Sequence, residues 1–460
     1  MTQVEQLAKV VVEASYETLS DQVRDLLKIR ILDSIGCAIG SYGALTIDSI
    51  RQYVEHFDGA PHCTLIGGGK TAPDRAALFN GALIRYLDFN DSYLAKGETC
   101  HPSDNLAPIL AAAEYADRDG CDALTALAVA YQVQCRLSDE APVRAAGFDH
   151  TTQGSYAVAA GVSRALGLDE AKTAHALAIS GTAFHALRVT RTGRLSNWKG
   201  LAYPNMASCC VQAAFLAKFG ITGPLEVFEG DKGFMDSISG PFEINWQREE
   251  LDRVRKTIVK KYNAEIHSQS AIEGLLELKR DHRFTARDVE SVDVQIFDVA
   301  YHIIGGGNEG EKAVIQTKED ADHSLRYILA VALLDGQVMP QQYAAERITR
   351  SDVQGLFKRI NIRPEANMSR RFPDRMPCRL TVQLRDGGLL VKDKDDYEGF
   401  HSRAATWGMV QRKFEELSSP HVSPQAQREI VDRIAEFENV RVADLLALLT
   451  NVKSQGRAAA

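Results

Sequence analysis

The first half of the chain repeats apolar residues at the spacing of helices that bury one face. In the stretch that begins at Ser20, apolar residues recur at intervals of three and four, as at Val23, Leu26 and Leu27. Gly220 follows the last such segment, at a position where a helix end favours a left-handed residue. The pattern predicts a helical domain from residue 20 to about 220, with further helices at about 104–117, 122–137, 153–166, 169–187 and 205–219.

After about residue 262 the period changes to the alternation of a strand. Residues 292–296 and 380–384 alternate apolar and polar side chains, as half-buried strands do. Asp386-Gly387 then supplies a hairpin turn into Leu389. Helical periodicity returns after Trp407.

These patterns predict a mainly α protein with two domains. A large all-helical domain is built from both chain ends, and a smaller α/β (α+β) lid domain is inserted into it. We place the helical domain at residues 1–262 and 397–460 and the lid at residues 263–396. Because the chain crosses between them twice, we expect a cleft that suits a small molecule.

Composition narrows the class of protein. The 460 residues are 45% hydrophobic and 25% charged, as in ordinary globular proteins. No apolar run approaches a membrane span, the first residues do not resemble a signal peptide, and the eight cysteines lack paired metal-finger spacing. We expect a cytoplasmic protein with reduced thiols. A net charge of −8 argues against a general nucleic-acid binder.

Acidic residues follow one apolar helix. That helix is predicted to start with Asp74 as its N-cap and to stop just before Asp88 and Asp91. Acids at this end face the negative pole of the helix dipole, which costs stability unless a cation or a function compensates. For an isolated acid at a helix end, a solvated turn is the commoner explanation. The nearby His101 shifts the balance towards a site.

Further polar groups lie at other predicted helix starts. Lys199 is predicted in a loop at 197–205, ahead of a new helix whose positive end attracts carboxylates. His150 opens another helix, although a lone histidine there is more often structural. Tyr327 lies at the polar entrance of an apolar helix, where a core role is the commoner one.

The junction between the predicted domains carries several charged and polar groups. We predict substrate contacts there from Lys260, Lys261, Glu265, His267 and Gln269. A charge run of this kind is usually a solvated face. With Lys199 and the arginines of the 188–194 segment, Arg188, Arg191 and Arg194, these lysines are candidates for a pocket that binds an anion.

Two other classes of protein compete at this point. The residues from Asp88 to Asp91 also fit the Asp-x-x-Asp magnesium sites of isoprenoid synthases. Such a site needs a second acidic cluster, and the sequence offers none with convincing spacing. A helical scaffold is the other alternative, but internal repeats are absent from the sequence.

As an ordered set, these segments resemble the MmgE/PrpD family, which contains 2-methylcitrate dehydratases and cis-aconitate decarboxylases. The resemblance covers nearly the whole chain. It rests on Leu32-Asp33-Ser34-Ile35-Gly36-Cys37-Ala38, Asn80-Gly81-Ala82, Leu87-Asp88-Phe89-Asn90-Asp91, His101-Pro102-Ser103, the Lys199 segment, Ala264-Glu265-Ile266-His267-Ser268-Gln269 and His323-Ser324-Leu325-Arg326-Tyr327.

The resemblance implies the helical domain with its inserted lid, a homodimer, and no required cofactor or metal. The family's site residues fall on Asp88, His101, Lys199 and Tyr327, with His150 and Lys260 as looser matches. We add Asp91, Ser92, Lys261, Glu265, His267 and Gln269 as substrate-binding residues.

The chemistry that this set predicts is the dehydration of a 2-hydroxy tricarboxylate, 2-methylcitrate or citrate. His101 and Asp88 would form the acid/base pair, Lys199 and Lys260 would hold carboxylates, and His150 or Tyr327 would complete the second proton transfer. The decarboxylases place a histidine where this chain has Glu265, which favours dehydration. Decarboxylation of cis-aconitate to itaconate, and epimerisation of a succinate derivative, remain alternatives.

Overall fold

The computed structural model describes residues 1–193, 195–307 and 315–453, so Arg194 lies outside the described part. Contacts between residues divide the chain into two compact units. The helical unit comprises residues 1–190, 197–257 and 406–460, and the α/β unit comprises residues 191–196 and 258–405. The fold is therefore mainly helical with a small α/β region, as the sequence predicted.

The helical unit begins with helices joined by short connections. They are α1 (Gln3–Glu13), α2 (Asp21–Gly40), α3 (Leu45–Phe57), α4 (Pro73–Tyr86), α5 (Leu106–Tyr115), α6 (Gly120–Glu140), α7 (Thr151–Leu166), α8 (Glu170–Ala183) and α9 (Trp198–Lys218). Two short antiparallel ribbons accompany them, β1 (Cys63–Thr64) with β2 (Lys70–Thr71), and β3 (Tyr93–Leu94) with β4 (Thr99–Cys100).

The α/β unit packs helices on a four-stranded sheet. Its helices are α10 (Gln269–His282), α11 (Asp298–Ala300), α12 (Lys318–Ala321), α13 (Leu325–Asp335), α14 (Ala345–Ile348), α15 (Ser351–Phe357) and α16 (Ala366–Ser369). The strands are β5 (Val289–Ile296), β6 (Ile360–Pro364), β7 (Cys378–Leu384) and β8 (Leu389–Lys394), in the order β6-β5-β7-β8. The sequence missed β6, which pairs parallel to β5, but it predicted β5, β7 and the hairpin into β8.

The chain then returns to the helical unit through α17 (Trp407–Ser418), α18 (Pro424–Ala435) and α19 (Val442–Leu449), as the periodicity after Trp407 predicted.

Helix α2 shows why this unit holds together. Its N-cap Ser20 accepts a hydrogen bond from the Val23 amide, and from Ile29 to Ile39 its residues are buried. No helix of the described residues is long and apolar enough to cross a bilayer.

Three local predictions were wrong or incomplete. Helix α1, closed by a capping box between Thr2 and Glu5, was not predicted. The N-cap of α4 is Ala72 rather than Asp74, because Pro73 takes the first helical position, where it needs no hydrogen bond. The predicted loop at 197–205 is helical: α9 starts at Trp198 and carries Pro204 in its interior.

Candidate active site

Asp88 lies directly after α4 in a left-handed conformation, with φ of +52°. Its amide donates a hydrogen bond to the Arg85 carbonyl, which turns the chain away from the helix axis. One carboxylate oxygen of Asp88 accepts a hydrogen bond from Arg85 Nη1 at 2.7 Å, and the other lies 3.1 Å from Lys199 Nζ. The two cations supply the compensation that an acid at this helix end requires.

Lys199 reaches Asp88 from the first turn of α9 and not from a loop. Its side chain is buried, and an ammonium group has three N–H donors. The structure brings together Asp88 and Lys199, which lie in two separate candidate segments of the sequence.

Further buried ion pairs lie in the same helical unit. Arg85 also lies 3.5 Å from Asp104, Arg30 lies 3.6 Å from Asp91, and Lys413 lies 2.7 Å from Asp33. We define the network by its members, which are Arg30, Asp33, Arg85, Asp88, Asp91, Asp104, Lys199 and Lys413. These eight described residues carry equal numbers of formal positive and negative charges, which reduces the cost of burying them together.

The pKa of Arg85 shows the effect of the network. Burial alone would lower the pKa of the guanidinium, but the charges of Asp88 and Asp104 hold it above its usual value. Lys413 adds a backbone contact, since its ammonium donates to the Phe89 carbonyl at 2.7 Å. The Asp88 loop is thus held by cations from other helices.

His101 is oriented by the backbone. Its Nδ1 lies 2.7 Å from the Asp91 carbonyl oxygen and 3.1 Å from Ser92 Oγ. A carbonyl only accepts hydrogen bonds, so Nδ1 carries the proton. In the neutral ring Nε2 is therefore the basic nitrogen, the arrangement of a general base.

His150 lies beside His101, with ring centroids 5.4 Å apart in an edge-to-face arrangement. On its other side it stacks on Tyr203 at 5.7 Å. His150 is the N-cap of α7 and is buried. Its Nε2 lies 3.7 Å from an Asp149 carboxylate oxygen. Two of the predicted catalytic histidines are therefore neighbours.

A second cluster lies in the α/β unit, around Glu265. One of its carboxylate oxygens accepts from the His267 amide at 2.8 Å, and the other lies 2.7 Å from His267 Nδ1. Burial raises the pKa of Glu265, but His267, His323 and Lys260 together lower it below the usual value. Glu265 is thus a carboxylate, and it orients the His267 ring.

His323 extends this cluster. Its Nδ1 lies 2.5 Å from Asp322, which also pairs with Lys318 at 2.8 Å. The amide of Glu265 donates to the Asp322 carbonyl. The segments around 265 and 323, both prominent in the sequence, therefore meet.

Two predicted substrate-binding residues have structural partners instead. Lys261 pairs with Glu273 at 3.0 Å and with Glu398 at 2.8 Å. The side-chain amide of Gln269 makes hydrogen bonds to the backbone. Its oxygen accepts from the backbone amides of Lys261 and Tyr262, and its nitrogen donates to the Tyr262 carbonyl. Local polarity predicted a ligand site, but the tertiary contacts of these side chains hold the α/β unit together.

Tyr327 is also placed in a core. Its hydroxyl donates to the Gln342 carbonyl, and its ring lies 6.1 Å from that of Tyr343. Burial raises the pKa of the phenol. These contacts are those of a structural tyrosine, so we do not carry Tyr327 into the mechanism proposed below.

The sequence did not reveal four members of the ion-pair network, Arg30, Arg85, Asp104 and Lys413. It also did not reveal Tyr131, whose hydroxyl donates to Asp91 at 2.8 Å. A signal was present, because Arg30 and Arg85 stand within otherwise apolar helical runs. Charges on a buried face need partners. The sequence did not show which partners these were.

Comparison with known proteins agrees with this architecture. Residues 5–247 match the model of the MmgE/PrpD N-terminal domain, and residues 262–438 match that of the MmgE/PrpD C-terminal domain. A 2-methylcitrate dehydratase of Cupriavidus necator is 26% identical over 446 residues, covering 90% of each chain.

Two other relatives extend the comparison. A 2-methylcitrate dehydratase of Escherichia coli K12 is 26% identical, covering 85% of this chain and 84% of its own. A cis-aconitate decarboxylase of Mus musculus is 24% identical, covering 94% of this chain and 90% of its own. Dehydration and decarboxylation, the activities named for these relatives, are both lyase reactions. With both family models matched, the chain belongs to the MmgE/PrpD family and is a lyase.

Proposed function

We propose that the protein dehydrates a 2-hydroxy tricarboxylate, with 2-methylcitrate as the first candidate and citrate as the second. Dehydration removes a proton from the carbon next to a carboxylate and expels the neighbouring hydroxyl as water. It therefore needs one group that takes a proton and one that gives a proton. The adjacent rings of His101 and His150, 5.4 Å apart, are the observation that carries the proposal.

The two imidazoles differ in the way that the reaction requires. His101 has Nδ1–H on the Asp91 carbonyl, so its Nε2 accepts the carbon-bound proton. In this proposal His150, whose Nε2 lies 3.7 Å from the Asp149 carboxylate, gives a proton to the leaving hydroxyl. Lys199, held by Asp88, binds a substrate carboxylate and stabilises the charge that develops on it. In the α/β unit, Lys260, Glu265 and His267 remain proposed substrate-binding residues.

The direct test follows the ultraviolet absorbance of the conjugated double bond, with products identified by mass spectrometry. Absorbance should rise with 2-methylcitrate or citrate. With cis-aconitate, release of carbon dioxide would instead identify the decarboxylase reaction named for the mouse relative. No change in absorbance and no product with any of the three acids would overturn the proposal, and epimerisation of succinate derivatives would be tested next.

His101→Gln tests the assigned base. Loss of a general base costs about 10²- to 10⁴-fold in rate, so kcat should fall by at least about 100-fold while KM changes little. The matched control is His62→Gln, an exposed histidine of the same unit, which should retain full activity. A near-wild-type kcat in His101→Gln would remove His101 from the mechanism.

We also propose a homodimer, as the family resemblance implies, and a location in the cytoplasm. Light scattering of the purified chain should give twice the mass of one chain. A monomeric mass at the concentration of the activity assay would contradict the dimer.

A further inference from the structure

The Asp91 side chain joins the two chain segments at the open end of the β3–β4 ribbon. In the β3–β4 ribbon Tyr93 pairs with Cys100 and Leu94 with Thr99. One step further out, Ser92 and His101 face each other, with Ser92 Oγ 3.1 Å from Nδ1. Beyond them, one oxygen of the Asp91 carboxylate accepts the Ser103 amide at 3.0 Å. Asp91 therefore ties together the two chain segments that flank His101.

Helices behind the ribbon hold the Asp91 carboxylate. Its other oxygen accepts from the Tyr131 hydroxyl of α6 at 2.8 Å and lies 3.6 Å from Arg30 Nε of α2. Arg30 is itself fixed, since it donates to the side chain and the carbonyl of Thr257, each at 3.0 Å. The Asp91 side chain is 0% exposed. This setting replaces the predicted role of Asp91 in substrate binding with an internal one.

The backbone of the same residue acts on the catalytic ring. The Asp91 carbonyl oxygen accepts a hydrogen bond from the Nδ1–H of His101 at 2.7 Å. Fixing the side chain fixes the residue, and hence the position of this carbonyl. If the carbonyl moved away, the ring could carry its proton on Nε2 instead and could no longer act as a base through that nitrogen.

We propose that Asp91, clamped by Tyr131 and Arg30, is a positioning residue that selects the His101 tautomer with a basic Nε2. The inference rests on the proposed function for its catalytic meaning, but the tautomer is a property of the resting protein. Tyr131 and Arg30 act through Asp91 and do not touch the reacting atoms.

The test compares Asp91→Asn and Tyr131→Phe with the wild type in the full chain. Histidine-selective ¹⁵N spectra report which ring nitrogen is protonated, and His101→Gln assigns the signals. Wild-type His101 should show a protonated Nδ1. In Asp91→Asn the amide presents an N–H₂ group towards Arg30 or Tyr131, so the clamp loosens and the Nε2–H form should become populated. Tyr131→Phe should show a smaller shift of the same kind.

Steady-state kinetics give the second readout. Both variants should lower kcat, by at least about tenfold for Asp91→Asn, with KM within about threefold of the wild-type value. The matched control is Tyr156→Phe, which removes another buried hydroxyl of the helical unit, one that donates to the Gly181 carbonyl. It should alter neither the His101 spectrum nor kcat.

The outcomes separate the two proposals. An unchanged His101 tautomer in both variants overturns the positioning role, whatever the activity. A changed tautomer in a protein that dehydrates none of the acids supports the positioning role and rejects the proposed function. If Asp91→Asn does not fold, Tyr131→Phe, which deletes a single oxygen atom, decides the matter alone.

Discussion

Asp88 occupies a position that costs free energy in two ways. A non-glycine residue with positive φ is strained, and an acid at a helix C-terminus faces the negative end of the dipole. Arg85 and Lys199 offset both costs by direct ion pairs at 2.7 and 3.1 Å. A carboxylate kept at such a cost, between two buried cations, is typical of a site where residue identity serves function.

Lys199→Met tests this arrangement at the level of one residue. Methionine keeps most of the length and the apolar stem but loses the charge, so a substrate carboxylate loses its partner. KM should rise by at least about tenfold, which corresponds to about 1.4 kcal/mol of lost binding. Initial rates over a range of substrate concentrations give the value.

The control for that experiment lies on the same helix. Lys218→Met changes the last turn of α9, where the side chain is only partly buried, and should leave KM unchanged. Equal KM values for the wild type and Lys199→Met would contradict the role of Lys199 in substrate binding.

At the scale of elements, one carboxylate joins a helix to a sheet edge. Glu273 of α10 pairs with Lys394 of β8 at 2.8 Å, with Lys261 at 3.0 Å and with Arg403 at 3.0 Å. Burial raises the pKa of Glu273, but hydrogen bonds from Lys394 and Lys261 lower it from 4.5 to about 2. The ionised side chain therefore stabilises the packing of α10 on β8.

Glu273→Gln should lower the free energy of unfolding by about 2 kcal/mol at pH 7, because three cations lose a shared partner. A lowered pKa stabilises the folded state fully above the unfolded value of 4.5, and this stabilisation is lost as the pH falls towards 2. Urea denaturation at pH 7 and pH 3.5 should thus show a smaller difference between variant and wild type at the lower pH.

Glu290→Gln, at an exposed position on β5, is the control and should change stability by less than about 0.5 kcal/mol. A difference between Glu273→Gln and the wild type that grows at low pH would contradict the assignment of Glu273 as an ionised anchor.

Helix α9 shows the limit of element prediction from local sequence. Proline removes one backbone donor and crowds the carbonyl four residues earlier, here that of Gly200, so a helix start after Pro204 was the natural expectation. The helix nevertheless runs through Pro204, whose ring packs close to Gly81 of α4. Tertiary packing outweighs the local cost, and it places Lys199 on a rigid helix.

At the scale of the molecule, the C-terminal segment closes onto the helical unit at Gly120. Its amide donates to the Val440 carbonyl at 2.7 Å, and a Cβ at Gly120 would overlap the carbonyl oxygen of Phe437. Gly120→Ala should therefore force the two segments apart and destabilise the protein by about 3 kcal/mol. Thermal unfolding followed by circular dichroism measures the loss.

A second glycine provides the opposite expectation. Gly355 lies in α15 with open space where a Cβ would be placed, so Gly355→Ala should stabilise the protein slightly, by up to about 1 kcal/mol.

Equal melting temperatures for Gly120→Ala and the wild type would show that the C-terminal segment is not closely packed at Gly120.

Local patterns in the sequence determined much of this protein. The change from helical to strand periodicity near residue 262, the hairpin at Asp386-Gly387 and the cap at Ser20 all depend on neighbouring residues, and the structure contains each of them. The ordered motifs also identified the family, and they placed Asp88, His101, His150 and Lys199 in the candidate site.

Tertiary structure alone decided which charges meet. Lys413 lies more than 300 residues from Phe89 in the chain, yet it donates to the Phe89 carbonyl, and Arg30 reaches Asp91 from another helix. The same cause gives Lys261 and Gln269 contacts within the α/β unit that local polarity did not predict. Periodicity records which face of an element is buried, whereas ion pairs and the choice of a histidine tautomer depend on what the fold places opposite that face.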